Sequence, residues 1–381
     1  MRLIIAALIV IAANARAEWH YIDGADAVAD LPWSQCDNSQ PTRPAESLRI
    51  LAVGDMVFTD NHILNELEFK NLSYLYQRND LVLGNLEGVI TTKEKSRKQY
   101  VPGKSYAFKF PMETANLLKN SGFRAVNLAN NHALDYSEDG LAETIATLEN
   151  SGVTAFGHQK HSFETIQIKN KKIALVGFGF YDYQNSVQDL NTSAQLIRDA
   201  RAQSDIVIVS MHGGAEGKTA VYFDDGPEFF LGENRGDLRE FSRVAIESGA
   251  DAVIGHGPHV VRAVECISGK PIFYSLGNFV SAGGLKARGL TSIATAVELA
   301  FDESARFVAA RLIPVMFNKN KYPQYDPAGR AVSLTNYLSR YQASRLSNFN
   351  SMYFSGVGEQ SYEAEAMNIQ NLLDKFGLSE E

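Results

Sequence analysis

The chain has 381 residues, of which 45% are hydrophobic and 21% charged, enough for a large buried core. Its formal net charge of −8 excludes the broad basic surface on which nucleic-acid binding usually rests.

The amino terminus stands apart. Met1 and Arg2, the apolar run "LIIAALIVIAA" and the small residues Ala15 and Ala17 form a secretory signal pattern over residues 1–17, with cleavage expected after Ala17. A membrane anchor is the alternative, but the run falls short of the ~20 residues a spanning helix needs. The mature chain is therefore expected in the periplasm or outside the cell. Residues 18–47, with Pro32, Pro41 and Pro44, read as an extended lead-in. Of the two cysteines, Cys36 and Cys266, spacing alone decides nothing: an oxidising compartment permits a bond, and two thiols remain the alternative.

Regular structure begins at Leu48. "LRILAVGDM" and "DLVLGNLEGVIT" are apolar runs that end in Gly followed by polar residues, and "FRAVNLANNHALD" is a third such run after the helical "PMETANLLKNSG". "SEDGLAETIATLENSG" has helical spacing and stops at Gly152. There follow "KKIALVGFGF", "SDIVIVSMHGGAEG", the helical "LREFSRVAIESG", "ADAVIGHGPHVV" and "KPIFYSLGNFV". Strands alternating with helices predict an α/β architecture in one large domain. The domain is expected over 48–317, with 318–381 as a carboxy-terminal extension carrying a short helix in "LTNYLSRYQASRL".

Polar residues collect where the apolar runs end: Gly54-Asp55, Asn85-Leu86-Glu87, Asn130-Asn131-His132, His212 with Glu216, and His256 with His259. The strand ends of an α/β sheet form its ligand-binding edge. Carboxylates, amide oxygens and imidazoles together suit a divalent cation of borderline or hard character, whereas a soft metal would draw thiolates. Taken singly, Asp55 reads equally as a turn or cap residue, and a buried His as a hydrogen-bonded core residue. Recurrence at five strand ends favours a metal site. The run "KEKSRKQYVPGK" from Lys93 to Lys104 reads as a solvated loop; beside the site it would offer cations to a polyanion.

Seven segments in order, "ILAVGDMVF", "VLGNLEGVIT", "YAFKFP", "VNLANNHALD", "VSMHGGAEG", "VIGHGPHVV" and "PIFYSLGNFV", resemble the CapA family of bacterial capsule-synthesis proteins, linked to poly-γ-glutamate production. That family is similar in fold to calcineurin-like metallophosphoesterases. The resemblance implies a four-layer α/β/β/α sandwich with two packed β-sheets and the site at one edge. It makes Asp55, Glu87, Asn131, His212, His256 and His259 candidate metal ligands and turns His132 toward the substrate. Asp135 is then either a partner that raises the basicity of His132 or a helix N-cap, and Glu216 an outer ligand or a base.

Three positions depart from the metallophosphoesterase and family patterns. Asp55 is followed by Met56 and Val57 instead of an Asp-x-His, Gly257 stands where an inner His is frequent, and Gly213 replaces a frequent Trp after His212. One cation (Mn, Fe, Zn or Mg) is therefore expected in preference to two. The expected activity is metal-dependent hydrolysis of an anionic substrate, either a phosphorylated small molecule or a polymer-linked group, with a capsule-synthase membrane complex as a possible partner. The alternative is a non-catalytic envelope accessory protein that binds anionic polymer or the synthase complex.

Overall fold

The computed structural model describes residues 31–40, 48–59, 69–98, 106–282, 284–285, 287–354 and 367–378. The signal segment 1–17, most of the lead-in and residues 99–104 of the basic run lie outside them.

In chain order the elements are β1 (Leu48–Phe58), α1 (Ser73–Arg78), β2 (Leu81–Leu86), β3 (Val89–Ile90), β4 (Lys109–Phe110), α2 (Thr114–Ser121), β5 (Ala125–Asn127), α3 (Ser137–Asn150), β6 (Thr154–Phe156), β7 (Glu164–Ile168) and β8 (Lys171–Phe178). Then come α4 (Leu190–Gln203), β9 (Ile206–His212), β10 (Phe229–Phe230), β11 (Glu233–Asn234), α5 (Leu238–Glu247), β12 (Ala252–His256), β13 (Val264–Ile267), β14 (Lys270–Phe273), β15 (Asn278–Ala282), β16 (Ile293–Phe301), β17 (Phe307–Phe317), β18 (Pro323–Tyr325), α6 (Arg330–Arg345) and α7 (Ile369–Lys375).

Two large sheets result. One has the order β18-β17-β16-β1-β2-β5-β6 with β15 also on β1, and the other has the order β13-β14-β12-β9-β8-β7. Both are covered on both faces, which is why their central strands read as unbroken apolar runs. The alternation inside those runs sets the layers. Ile50 and Ala52 of β1 join Leu81, Leu83, Ile173, Leu175, Ile206, Ile208 and Ile254 in a cluster between the sheets. Leu51 and Val53 point the other way, to Val82, Leu117 and Leu118 of α2 and Leu148 of α3. Beyond the second sheet, Val207, Val209 and Val253 pack on Ile197 of α4, Phe241 and Ala245 of α5, and Leu334, Tyr337 and Leu338 of α6. The molecule is thus a four-layer α/β/β/α sandwich.

Residues beyond Phe317 join this core. β18 pairs with β17. The 16-residue α6 starts before the helical run apparent in sequence, because Asp326 Oδ2 accepts from the Arg330 amide at 3.0 Å and Oδ1 from the Arg330 guanidinium at 2.7 Å. Cys36 and Cys266 are joined in a disulfide, Cα atoms 5.6 Å apart, which ties the lead-in to β13. No helix among the described residues is long and apolar enough to cross a membrane.

β1 is irregular where the site begins. It pairs with β16 over Leu48–Ala52 and with β15 over Asp55–Phe58, and its register with β2 shifts between Ala52 and Asp55. Gly54 makes this possible, since a Cβ there would lie 1.9 Å from the Gly277 carbonyl oxygen. Gly54→Ala should therefore lower stability by about 3 kcal/mol or prevent folding, at or beyond the upper range for core overpacking. Urea unfolding checks this, and an unchanged midpoint would contradict the close approach.

Candidate functional site

The first sheet supplies Asp55 from β1, Glu87 from the turn after β2, and Asn130 to His132 from the turn after β5. The second supplies His212 at the end of β9, paired in register with His256 at the end of β12, and His259 from the turn beyond. Carboxylates of one sheet thus meet imidazoles of the other.

Glu87 is the centre of this meeting. The Nε2 atoms of His132, His212 and His259 lie 3.8, 3.9 and 3.7 Å from its Oε1, too far for hydrogen bonds. Both Glu87 carboxylate oxygens are buried with no hydrogen-bond partner, as are His212 Nε2, both ring nitrogens of His256, and Asn131 Oδ1. Asp55, Glu87 and His212 each present a ligand atom, all within 4.8 Å of one another. Buried polar atoms normally find partners, and an unpaired one costs about 1–3 kcal/mol. So many orphans pointing together fit a cation.

Asp55 is held more firmly. Asn85 donates to its Oδ1 at 2.8 Å and the Gly257 amide to its Oδ2 at 3.2 Å, while His256 Nδ1 and His259 Nδ1 lie at 3.4 and 3.2 Å. Asp55 is inside a strand, so the turn or cap reading does not apply. The Asn131 backbone carbonyl accepts from Lys98 at 3.2 Å, and its side-chain Oδ1 is buried without a hydrogen-bond partner. Glu216 is bound by Arg235 at 2.8 Å and approaches His259 Nε2 to 3.9 Å. His259 has φ 61, a left-handed conformation costing roughly 1–3 kcal/mol, of the kind that collects at functional sites.

Burial and charge set the ionisation. Burial alone would raise Asp55, but the close imidazoles of His256 and His259 prevail and hold it well below the usual carboxylate range. Burial pushes Glu87 well above that range, with His259 pulling the other way. Burial also pushes His212 well below the usual imidazole value. For His259 burial lowers the pKa, yet the Glu87 charge, the Asp55 hydrogen bond and the Glu216 charge raise it to about 10. A raised imidazole adds stability that is complete below its ordinary value of 6.5 and is lost as pH climbs toward about 10. The melting temperature of chelator-treated protein should accordingly fall between pH 7 and 10, and less so in His259→Asn. A rise across that window would contradict the pairing.

Beside Glu87, His132 has a carboxylate partner of its own. His132 Nδ1 is 2.7 Å from Asp135 Oδ2, which also accepts from the Phe108 amide at 2.7 Å. The Phe108 ring stacks on the imidazole, centroids 4.2 Å apart. Asp135 does not cap α3, whose N-cap position is Tyr136 without a side-chain cap bond. Asp135 is the hydrogen-bond partner of His132, and although its charge favours the protonated ring, burial holds the imidazole below its usual value.

Each departure from the pattern has a local cause. Met56 and Val57 point into the apolar cluster beneath the helices, so no side chain at 57 reaches the site from there. Gly257 has φ 107, and a Cβ there would lie 2.9 Å from the Gly213 carbonyl oxygen and 3.2 Å from His212 Nε2. At Gly213 a Cβ would meet the Arg235 carbonyl oxygen at 2.6 Å, leaving no room for a Trp.

Other site residues escaped the sequence reading. Asn278 Oδ1 accepts from His259 Nδ1, 3.0 Å away. Its signal was present, since Leu276-Gly277-Asn278 repeats Leu83-Gly84-Asn85. Arg235, buried with its guanidinium 4.2 Å over the Phe180 ring, comes from a Gly-rich turn with no periodic signal.

The bacterial capsule synthesis protein family PGA_cap matches residues 49–283. The PGA biosynthesis protein CapA of Bacillus subtilis (strain 168) is 30% identical over 228 residues, 56% of each chain. The capsule biosynthesis protein CapA of Bacillus anthracis is 25% identical over 264 residues, 62% of this chain and 61% of that one. A probable polyglutamine synthesis accessory protein of Mycobacterium tuberculosis (strain CDC 1551 / Oshkosh) is 27% identical over 229 residues, 53% of this chain and 55% of its own. The chain thus spans less than two thirds of the length of these relatives.

Proposed function

This chain belongs to the bacterial capsule synthesis protein family PGA_cap, and from that premise we propose that it is an exported, divalent-cation-dependent hydrolase acting on an anionic substrate of capsule or poly-γ-glutamate synthesis. The observation that carries this reading is the buried, unpartnered Glu87 carboxylate with three imidazole nitrogens aimed at one of its oxygens.

Asp55, Glu87, His212, His256 and His259, together with Asn131, are the residues that would hold one cation. A divalent cation (Mn, Fe, Zn or Mg) supplies Lewis acidity, drawing charge from a phosphoryl or acyl oxygen and making water acidic enough to attack near pH ~7. The chain's own contribution is positional. His132 Nδ1–H donates to Asp135 Oδ2, which turns Nε2 toward Glu87; the doubly protonated ring would give its Nε2 proton to the leaving group and return to neutral imidazole. Phe108 covers one face of the ring. Arg235 neutralises Glu216 and keeps it beside His259, where it would orient incoming water.

Export is proposed from the amino-terminal signal pattern, and the Cys36–Cys266 bond supports an oxidising compartment. The accessory naming of the mycobacterial relative fits association with a synthase complex. Purified mature protein should contain a divalent cation and hydrolyse an aryl phosphate with added Mn²⁺. Absence of both metal and turnover under Mn, Fe, Zn and Mg would instead favour a polymer-binding accessory role. Amino-terminal sequencing of exported material should begin at Glu18, and a retained Met1 on a membrane-bound species would contradict export.

A further inference from the structure

The basic run after β3 behaves as a solvated loop only in part. Lys93 and Arg97 pair with Asp139 and Glu138 at 2.9 and 3.0 Å on the surface, where such bridges contribute about 0–1 kcal/mol. The backbone does more. The Ser96 hydroxyl and the Arg97 amide both donate to the Asp135 carbonyl, at 2.9 and 2.7 Å, docking the segment on Asp135. Lys98 then turns inward, its Nζ 2.6 Å from Asp135 Oδ1 and 3.2 Å from both the Asn131 carbonyl oxygen and His132 Nδ1.

We propose that Lys98 is a positioning residue for proton transfer: its ammonium pins the Asp135 carboxylate and the Asn131 backbone so that Asp135 Oδ2 faces His132 Nδ1 and Nε2 faces the cavity. The inference rests on the reading of His132 as proton donor. An ammonium has only donors, and so does a protonated Nδ1, so Lys98 donates to the Asn131 carbonyl and forms an ion pair with Asp135 Oδ1. Asp135 Oδ2 is already engaged by the Phe108 amide and His132. With Oδ1 held by the Lys98 charge at 2.6 Å and Oδ2 by hydrogen bonds, the fully buried carboxylate is fixed at both oxygens. One side chain thereby joins Asn131 to the partner of the residue that moves the proton. The Lys98 side chain is itself 32% exposed, so its replacement leaves the core intact.

The test uses full-chain protein labelled with ¹⁵N-histidine. The His132 Nδ1–H, assigned by its absence in His132→Gln, should give a low-field proton resonance in the native chain. Lys98→Met should lose or broaden it, and Lys98→Arg should restore it, since a guanidinium spans the same two oxygens. In Mn²⁺-supported aryl phosphate hydrolysis, Lys98→Met should lower kcat about 10–100-fold, the range for outer partners of site residues, with KM and metal content unchanged. A resonance unmoved in Lys98→Met, or a raised KM with kcat intact, would overturn the positioning role; the latter would make Lys98 a substrate contact. Should the native chain hydrolyse no phosphoester, the hydrolase reading falls while the resonance still decides the role of Lys98.

Discussion

Glu87→Ala is expected to purify without a bound divalent cation and to show no turnover above background. The Glu87 oxygens are buried and unpartnered, and three imidazole nitrogens lie 3.7–3.9 Å from Oε1, a spacing that fits a shared ion better than direct bonds. Burial pushes its carboxyl well above the usual range, against the pull of the His259 charge. Its removal relieves that burial cost and also takes away the charge that pairs with His259, two opposing effects on the cation-free fold. The native chain should gain about 2.7 kcal/mol at a Mn²⁺ concentration 100 times the dissociation constant, whereas Glu87→Ala should gain nothing. Thermal melting with and without Mn²⁺, beside elemental analysis, checks both halves. Equal metal-induced stabilisation in the two proteins would remove Glu87 from the ligand set.

His132→Ala and Asn131→Ala are expected to fail differently although they are neighbours in the chain. Loss of the His132 imidazole removes the proton donor, so turnover should fall by a factor of ~10²–10⁴ while the metal stays. Loss of the Asn131 amide removes an oxygen that is buried and unpartnered in the structure, so metal retention and activity should fall together. Metal analysis of both purified variants beside turnover on one substrate decides it. Equal metal loss in both would make His132 a ligand or a structural residue, and the proton-donor assignment would have to be given up.

The sandwich was legible because its strands are covered on both faces, so runs such as Ile50-Leu51-Ala52-Val53 appear as unbroken apolar text whose alternate members feed two different cores. Glu87, His212 and His256 were legible for a related reason: each ends or follows a buried run, and a polar residue there is conspicuous. Asp55 was visible as a residue but not in its place. β1 continues to Phe58 only because β15, more than two hundred residues later, pairs with it, and no local pattern encodes that partner. The Cys36–Cys266 bond is equally non-local. Lys98 was hidden for the opposite reason, since it sits in a run of charges whose other members do face solvent, and only contacts with Asp135 and Asn131 distinguish it.

The most direct test of the central claim is a crystal of the mature protein grown with Mn²⁺ and measured for anomalous scattering. A single strong peak bounded by Asp55, Glu87 and His212, close enough to Glu87 Oε1 to be ligated by it, is the predicted result. Strong anomalous density elsewhere on the molecule, with Glu87 still facing His132, His212 and His259 and no ion among them, would contradict it.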